Sequence, residues 1–323
     1  MPTTGKITSY DLLIDGLRLV RWPNLIMAAL TLALTRYAII GPFYTEGGLI
    51  PLTTHLLFFL MAGATVLVMA GGYIINDLYD VATDKINRPD KQIIGFTYTP
   101  QGASNLYYIL TGIGWAMAGL ASSLMGRHEP VLIVGLCTGL LYFYSVRYKR
   151  QPFIGNLVIS LLSAMLIGII WVTELYNLLE HPEVMGTLIS KLPRLYTLLT
   201  GFTLFAFTSS MVREWIKDCE DISGDEQTNC KTLAVKIGIK KMRLLIAGLI
   251  LLNIITLAWF QYLIYHQNYS VTTFYLMVVQ YLWLRLLESI LSKKETDWHN
   301  ASSQAKIIML AGVLAMQTLS IDF

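Results

Sequence analysis

The chain has 323 residues, of which 54% are hydrophobic and only 14% charged, and its net charge is +3. A water-soluble domain carries roughly 25% charged residues, so this composition excludes a soluble globular fold, and so small a net charge provides no footprint for nucleic acid. The three cysteines, Cys137, Cys219 and Cys230, are odd in number and widely spaced, which argues against a disulfide framework or a zinc site.

The first sixteen residues lack a basic segment, an apolar segment and a small-residue cleavage site in succession, so no cleaved signal peptide is expected. Nine continuous apolar runs follow, at roughly 17–40, 56–75, 105–124, 131–148, 154–176, 198–216, 243–265, 270–291 and 305–320. About 20 apolar residues cross ~30 Å of hydrocarbon, and a spanning segment must be helical to satisfy its own amides in lipid. The runs do not alternate, which excludes a barrel. The expectation is an all-α, polytopic membrane protein with nine transmembrane helices, forming one domain over 1–323.

The second run leads directly into Asn76-Asp77-Leu-Tyr-Asp80-Val-Ala-Thr-Asp84, followed by Arg88 and Lys91. The fourth ends in Tyr144-Ser-Val-Arg-Tyr-Lys149-Arg150. The sixth leads into Glu214-Trp-Ile-Lys217-Asp218-Cys-Glu-Asp221-Ile-Ser-Gly-Asp225. Both sets of aspartates follow the spacing i, i+3, i+7, which predicts three carboxylates on one helical face in each case. Taken singly, an aspartate at a helix end is as often a solvated side chain or the partner of a nearby lysine. Two matched triplets at transmembrane ends point instead to function, because ionisable groups there are costly.

Orientation follows from the basic residues. All but Arg36, Arg127, Lys191 and Arg194 of the 24 lysines and arginines fall on the N-terminal side of the nine-helix arrangement. That side is therefore expected to face the cytoplasm, and both acidic motifs lie on it.

Crowded carboxylates repel one another, and near hydrocarbon they call for a cation. Mg²⁺ takes oxygen ligands, usually one or two carboxylates together with phosphate oxygens and water. It would neutralise charge developing on a departing diphosphate, and nearby Lys and Arg would add charge-assisted donors to the phosphate oxygens.

At these residues the chain resembles the UbiA-type intramembrane prenyltransferases. Asn76, Asp77, Asp80 and Asp84 match that family's first motif, and Asp218, Asp221 and Asp225 its second, followed by Lys231-Thr-Leu-Ala. Tyr144 to Arg150 resembles its Tyr-Ser-x-x-x-Lys-Arg element, and Arg21-Trp-Pro-Asn24 its entry to the first helix. The resemblance covers essentially the whole chain. It implies nine helices around a lipid-open cavity with a cytoplasmic helical cap, in the cell (inner) membrane. It also implies Mg²⁺-dependent transfer of an isoprenyl group from a prenyl diphosphate to a lipophilic acceptor.

By this likeness Asp77, Asp80, Asp84, Asp218, Asp221 and Asp225 are metal-site carboxylates, with Asn76 and Asp77 also orienting the diphosphate. Arg88, Lys91, Lys149, Arg150 and Lys217 are phosphate contacts, and Tyr144 sits near the reacting carbon. The run Asp84-Lys-Ile-Asn87-Arg88-Pro89-Asp90-Lys91 resembles the branch that uses geranylgeranylglyceryl phosphate, and also chlorophyll-synthase-like members, although Lys91-Gln-Ile-Ile-Gly95 replaces their usual Pro-Ser-containing continuation. For an alcohol acceptor, Glu214 is a candidate base, with an ion pair to Arg213 or Lys217 as its plainer role. Prenylation of an aromatic ring is the alternative reaction. A membrane transporter is the alternative class, since intramembrane charge also marks ion pathways; Arg285 is the clearest charge within a run, with pairing to Glu288 its plainer explanation.

Overall fold

The computed structural model describes residues 8–87, 92–228, 230–292 and 296–323. Helix α1 (Ser9–Leu19) opens with a capping box in which the Thr8 hydroxyl accepts from the Asp11 N–H and the Asp11 carboxylate accepts from the Thr8 N–H. The backbone turns at Arg21, where φ is +52°, and α2 (Trp22–Leu34) begins. The first apolar run is therefore not one helix from residue 17: its start belongs to α1. It continues instead through a π-helical segment, Thr35–Ile40, into α3 (Gly41–Glu46).

The later spans are α4 (His55–Asn87), α5 (Pro100–Met125), α6 (Glu129–Val146), α7 (Ile154–Leu179), α9 (Leu192–Glu220), α12 (Ile239–Tyr265), α13 (Ser270–Leu291) and α14 (Trp298–Asp322). Short helices α8 (Pro182–Leu188), α10 (Ile222–Gln227) and α11 (Leu233–Ile237) lie between them. Nine helices among the described residues are long and apolar enough to cross a membrane, as expected. There are no strands among them, only one isolated bridge, Ile94 with Tyr98.

Length explains where the acidic motifs sit. Helix α4 has 33 residues, about 50 Å at 1.5 Å per residue, against ~30 Å of hydrocarbon. Counted from His55, its apolar part ends near Ile75, so Asn76 to Asp84 ride on turns that extend past the lipid core. Helix α9, with 29 residues, exceeds the core in the same way, which carries Arg213 to Glu220 to its end.

The described residues form two compact units. The first draws on Met1–Ala29, Phe59–Lys149 and Ser223–Cys230, and the second on Leu30–Phe58, Arg150–Ile222 and Lys231–Phe323. Within the first, Leu19, Ile74, Ile75, Ile94, Ala103 and Tyr107 make one apolar cluster joining the end of α1, α4 and the start of α5. Gly114 lets α5 approach α4 closely: a Cβ there would lie 3.1 Å from the Ala64 carbonyl oxygen. Small residues serve this purpose in membranes, where close packing rather than water exclusion holds helices together. Within the second, α7, α12 and α14 each pack on α9, and α13 joins α12 and α14.

Candidate functional site

The first motif lies on one face of the last turns of α4, as its spacing predicts. Asn76 and Asp80 are buried, and Asp77 and Asp84 are half-buried. Nδ2 of Asn76 donates to Oδ2 of Asp80 at 2.7 Å. The Lys149 ammonium, on a three-residue turn after α6, pairs with the same Asp80 oxygen. Arg21 donates from Nη2 to Oδ1 of Asp77 at 2.7 Å. Its guanidinium carbon also lies 4.8 Å from the centre of the Tyr73 ring, a cation–π contact. The Tyr73 hydroxyl in turn accepts from Asn24 at 3.2 Å. Two basic residues far apart in sequence thus meet two carboxylates of one helix.

Electrostatics keeps these cations charged. Burial by itself lowers the proton affinity of Lys149, but the neighbouring Asp80, Tyr144 and Asp84 reverse this, and the ammonium is held well above the ordinary lysine range. Arg21 behaves alike: burial opposes its charge, and Asp77, then Tyr73, raise it again. Tyr144, buried at the end of α6, is one of the groups acting on Lys149.

The second motif departs from its predicted geometry. Helix α9 ends at Glu220, and Asp221 is its C-cap, with φ −92° and ψ 3°. The chain then restarts as α10, which carries Asp225. The three aspartates are therefore not on one continuous helix. Asp218 accepts from Nδ2 of Asn156 at 3.1 Å, and both lie in the second unit. The buried Asp225 belongs to the first unit, where its segment is tied to α4 by the Thr83 and Thr228 hydroxyls, 3.3 Å apart.

Of the other expected residues, Lys217 is half-buried on α9. Arg150 is exposed, and its carbonyl accepts from the Lys231 N–H at 3.2 Å. Arg88 and Lys91 lie outside the described residues. Glu214 is buried and accepts from Arg213 at 2.7 Å, which is the plainer of its two roles. Arg285 pairs with Glu288 at 2.9 Å, as expected, on the exposed side of α13.

Several partners went unread in the sequence. Asn156 is a lone amide at the start of an apolar run, and no pattern links it to Asp218, 62 residues away. Arg21 was part of a recognised element, but its pairing with Asp77 spans 56 residues. Glu174 was passed over at the end of an apolar run. It is fully buried and accepts from the backbone N–H groups of Leu52 and Thr53, at 3.0 and 3.2 Å.

The first motif suits a hard divalent cation. Its donors are all oxygens, and the buried Oδ1 of Asn76 has no hydrogen-bond partner, a placement a metal or a substrate donor would relieve. Among the described residues no three carboxylates, imidazoles or thiols come together as a ligand set.

The UbiA prenyltransferase family matches residues 21–309. The digeranylgeranylglyceryl phosphate synthase of Saccharolobus solfataricus is 29% identical over 95% of this chain and 97% of its own. Two solved structures share the fold. One, described as digeranylgeranylglyceryl phosphate synthase in membranes, has a TM-score of 0.61 at 23% identity, over 97% of this chain and 100% of its own. The other, a UbiA homolog from Archaeoglobus fulgidus bound to GPP and Mg²⁺, has a TM-score of 0.59 at 14% identity, over 94% and 99%.

Proposed function

Because this chain belongs to the UbiA prenyltransferase family, and is thus an intramembrane prenyltransferase, we propose that it moves a geranylgeranyl group from geranylgeranyl diphosphate to geranylgeranylglyceryl phosphate. The observation that carries the reading is the first motif: carboxylates and an orphaned amide oxygen, with Lys149 and Arg21 alongside. The acceptor rests on the likeness to the Saccharolobus synthase, whose named product bears one geranylgeranyl group more than this acceptor.

Asp77, Asp80 and Asp84, with Asp218, Asp221 and Asp225 from the second motif, would hold Mg²⁺, and Asn76 would add its amide oxygen. When bound, the metal neutralises charge on the departing diphosphate. Lys149, Lys217 and Arg150, with Arg88 and Lys91, supply further donors to the phosphate oxygens. The allylic C–O bond breaks, and the electron pair leaves with the diphosphate. The acceptor hydroxyl oxygen then bonds to the allylic carbon and sheds its proton, leaving an ether. Tyr144, acting on Lys149 from the end of α6, fits a place near the reacting carbon. Asn156 orients Asp218 through its hydrogen bond.

The whole chain serves as one prenyltransferase domain. The first motif follows the second span and the second motif the sixth, an even number in each case, which favours both motifs on the N-terminal side, and the excess of basic residues on that side favours an active site facing the cytoplasm.

The test supplies the purified protein with geranylgeranyl diphosphate and Mg²⁺, together with either geranylgeranylglyceryl phosphate or 4-hydroxybenzoate, and identifies products by mass spectrometry. An ether formed from the first acceptor alone is expected. A C-prenylated ring from the second alone overturns the acceptor and leaves prenyl transfer intact.

A further inference from the structure

We propose that Lys149 and Arg21 are resident counterions of the first acidic motif, which release Asp80 and Asp77 to a divalent cation only when a diphosphate arrives to take up their charge. The inference rests on the diphosphate-binding reading and adds to it an order of events: metal and diphosphate bind together, each weakly without the other.

The geometry is that of an occupied motif. Oδ2 of Asp80 already receives two donors, the Asn76 amide and the Lys149 ammonium. Oδ1 of Asp77 receives the Arg21 guanidinium at 2.7 Å. A divalent cation arriving alone meets two positive charges on the carboxylates it needs, and like charges at such range repel strongly away from bulk water. Displacing Lys149 without a substitute partner would strand a partly buried ammonium, which is unfavourable near hydrocarbon. A diphosphate removes both obstacles, because its oxygens accept charge-assisted hydrogen bonds from the two cations as they let go.

Both residues are placed to let go. Lys149 projects from the three-residue turn Tyr148–Arg150 between two spans, on a flexible four-carbon stem. Arg21 holds a backbone φ of +52°, a left-handed conformation that costs a non-glycine residue energy and persists only where its surroundings enforce it. The backbone there is held by the Arg21 N–H donating to the Arg18 carbonyl at 2.9 Å and by its carbonyl accepting from the Asn24 N–H at 2.8 Å, so the turn stays in place while the side chain, held by the Asp77 pair and the Tyr73 ring, is the part that lets go.

Thermodynamic linkage makes the effect reciprocal, and this defines the test. Full-length protein in detergent, without prenyl substrate, is titrated with Mn²⁺ alone while free Mn²⁺ is followed by electron paramagnetic resonance. Binding of inorganic diphosphate is measured separately in saturating Mg²⁺ by calorimetry. Lys149→Met should bind Mn²⁺ alone roughly 10-fold more tightly than wild type, yet bind diphosphate roughly 10-fold more weakly, in the range typical of coupled sites. Lys149→Arg, which keeps the charge, should stay near wild type in both. Such a crossing of opposite signs is not produced by general loosening of the fold. If Lys149→Met aggregates, Arg21→Gln provides the same crossing through Asp77. Unchanged or weaker Mn²⁺ binding in the neutral variant overturns the proposal while leaving diphosphate binding intact. A wild-type protein that binds no diphosphate in Mg²⁺ overturns the diphosphate site itself, and the proposal with it.

Discussion

Asp80 is the residue on which the first motif turns, since one of its oxygens receives both an amide and an ammonium. Asp80→Asn preserves the shape and removes the charge, so the proposed metal site loses a carboxylate and Lys149 loses its counterion. Activity should vanish in EDTA and return with Mg²⁺ or Mn²⁺. Asp80→Asn and Asp221→Asn should each lower turnover by at least ~100-fold, the scale of a lost electrostatic contribution at a reacting centre. Thermal unfolding in detergent separates this from instability: Asp80→Asn should also unfold at lower temperature, because it leaves a partly buried cation unpaired. Full activity in excess chelator contradicts the metal assignment. The identity of these residues was readable because their chemistry is unusual for a membrane helix. Their partners were not, because Lys149 and Arg21 reach them across 69 and 56 residues.

At the scale of helices, spacing was a good guide where the helix continues and a poor one where it ends. Asp77, Asp80 and Asp84 share a face because α4 runs unbroken to Asn87. Asp218, Asp221 and Asp225 carry the same spacing, yet α9 stops between them. Close packing depends in a similar way on context. A Cβ at Gly312 of α14 would lie 1.9 Å from the Phe205 ring of α9, whereas one at Gly248 of α12 would meet nothing within 4 Å. Gly312→Ala should therefore destabilise the protein by about 1–3 kcal/mol, as overpacking does, read as a lower unfolding temperature in detergent. Gly248→Ala should be neutral or slightly stabilising, since alanine is the better helix former. Equal behaviour of the two variants would mean that the α9–α14 contact is looser than its geometry.

For the molecule as a whole, the testable property is its orientation. In a background lacking native cysteines, Cys substituted at His181 or His266 should react with an impermeant thiol reagent applied outside intact cells. Cys at Gln101 or Glu226 should react only after the membrane is opened. All four positions are exposed, so burial does not confound the result, as it would at the buried Gly224. The reverse pattern would turn the acidic motifs to the other side of the membrane.

Hydropathy and charge in the sequence alone determined that the chain is helical and, among the described residues, carries nine helices long and apolar enough to cross a membrane, because lipid admits few ways to satisfy a backbone. They determined as well that the aspartates stand at helix ends, because a carboxylate in hydrocarbon is too costly to be incidental. Tertiary structure alone decided which charges meet. Asn156 reaches Asp218, Glu174 accepts two amides from the chain before α4, and Lys149 and Arg21 neutralise the first motif. Ion pairs and hydrogen bonds act over a few ångströms in space and leave no period in the sequence, so residues dozens of positions apart become partners only once the helices are packed.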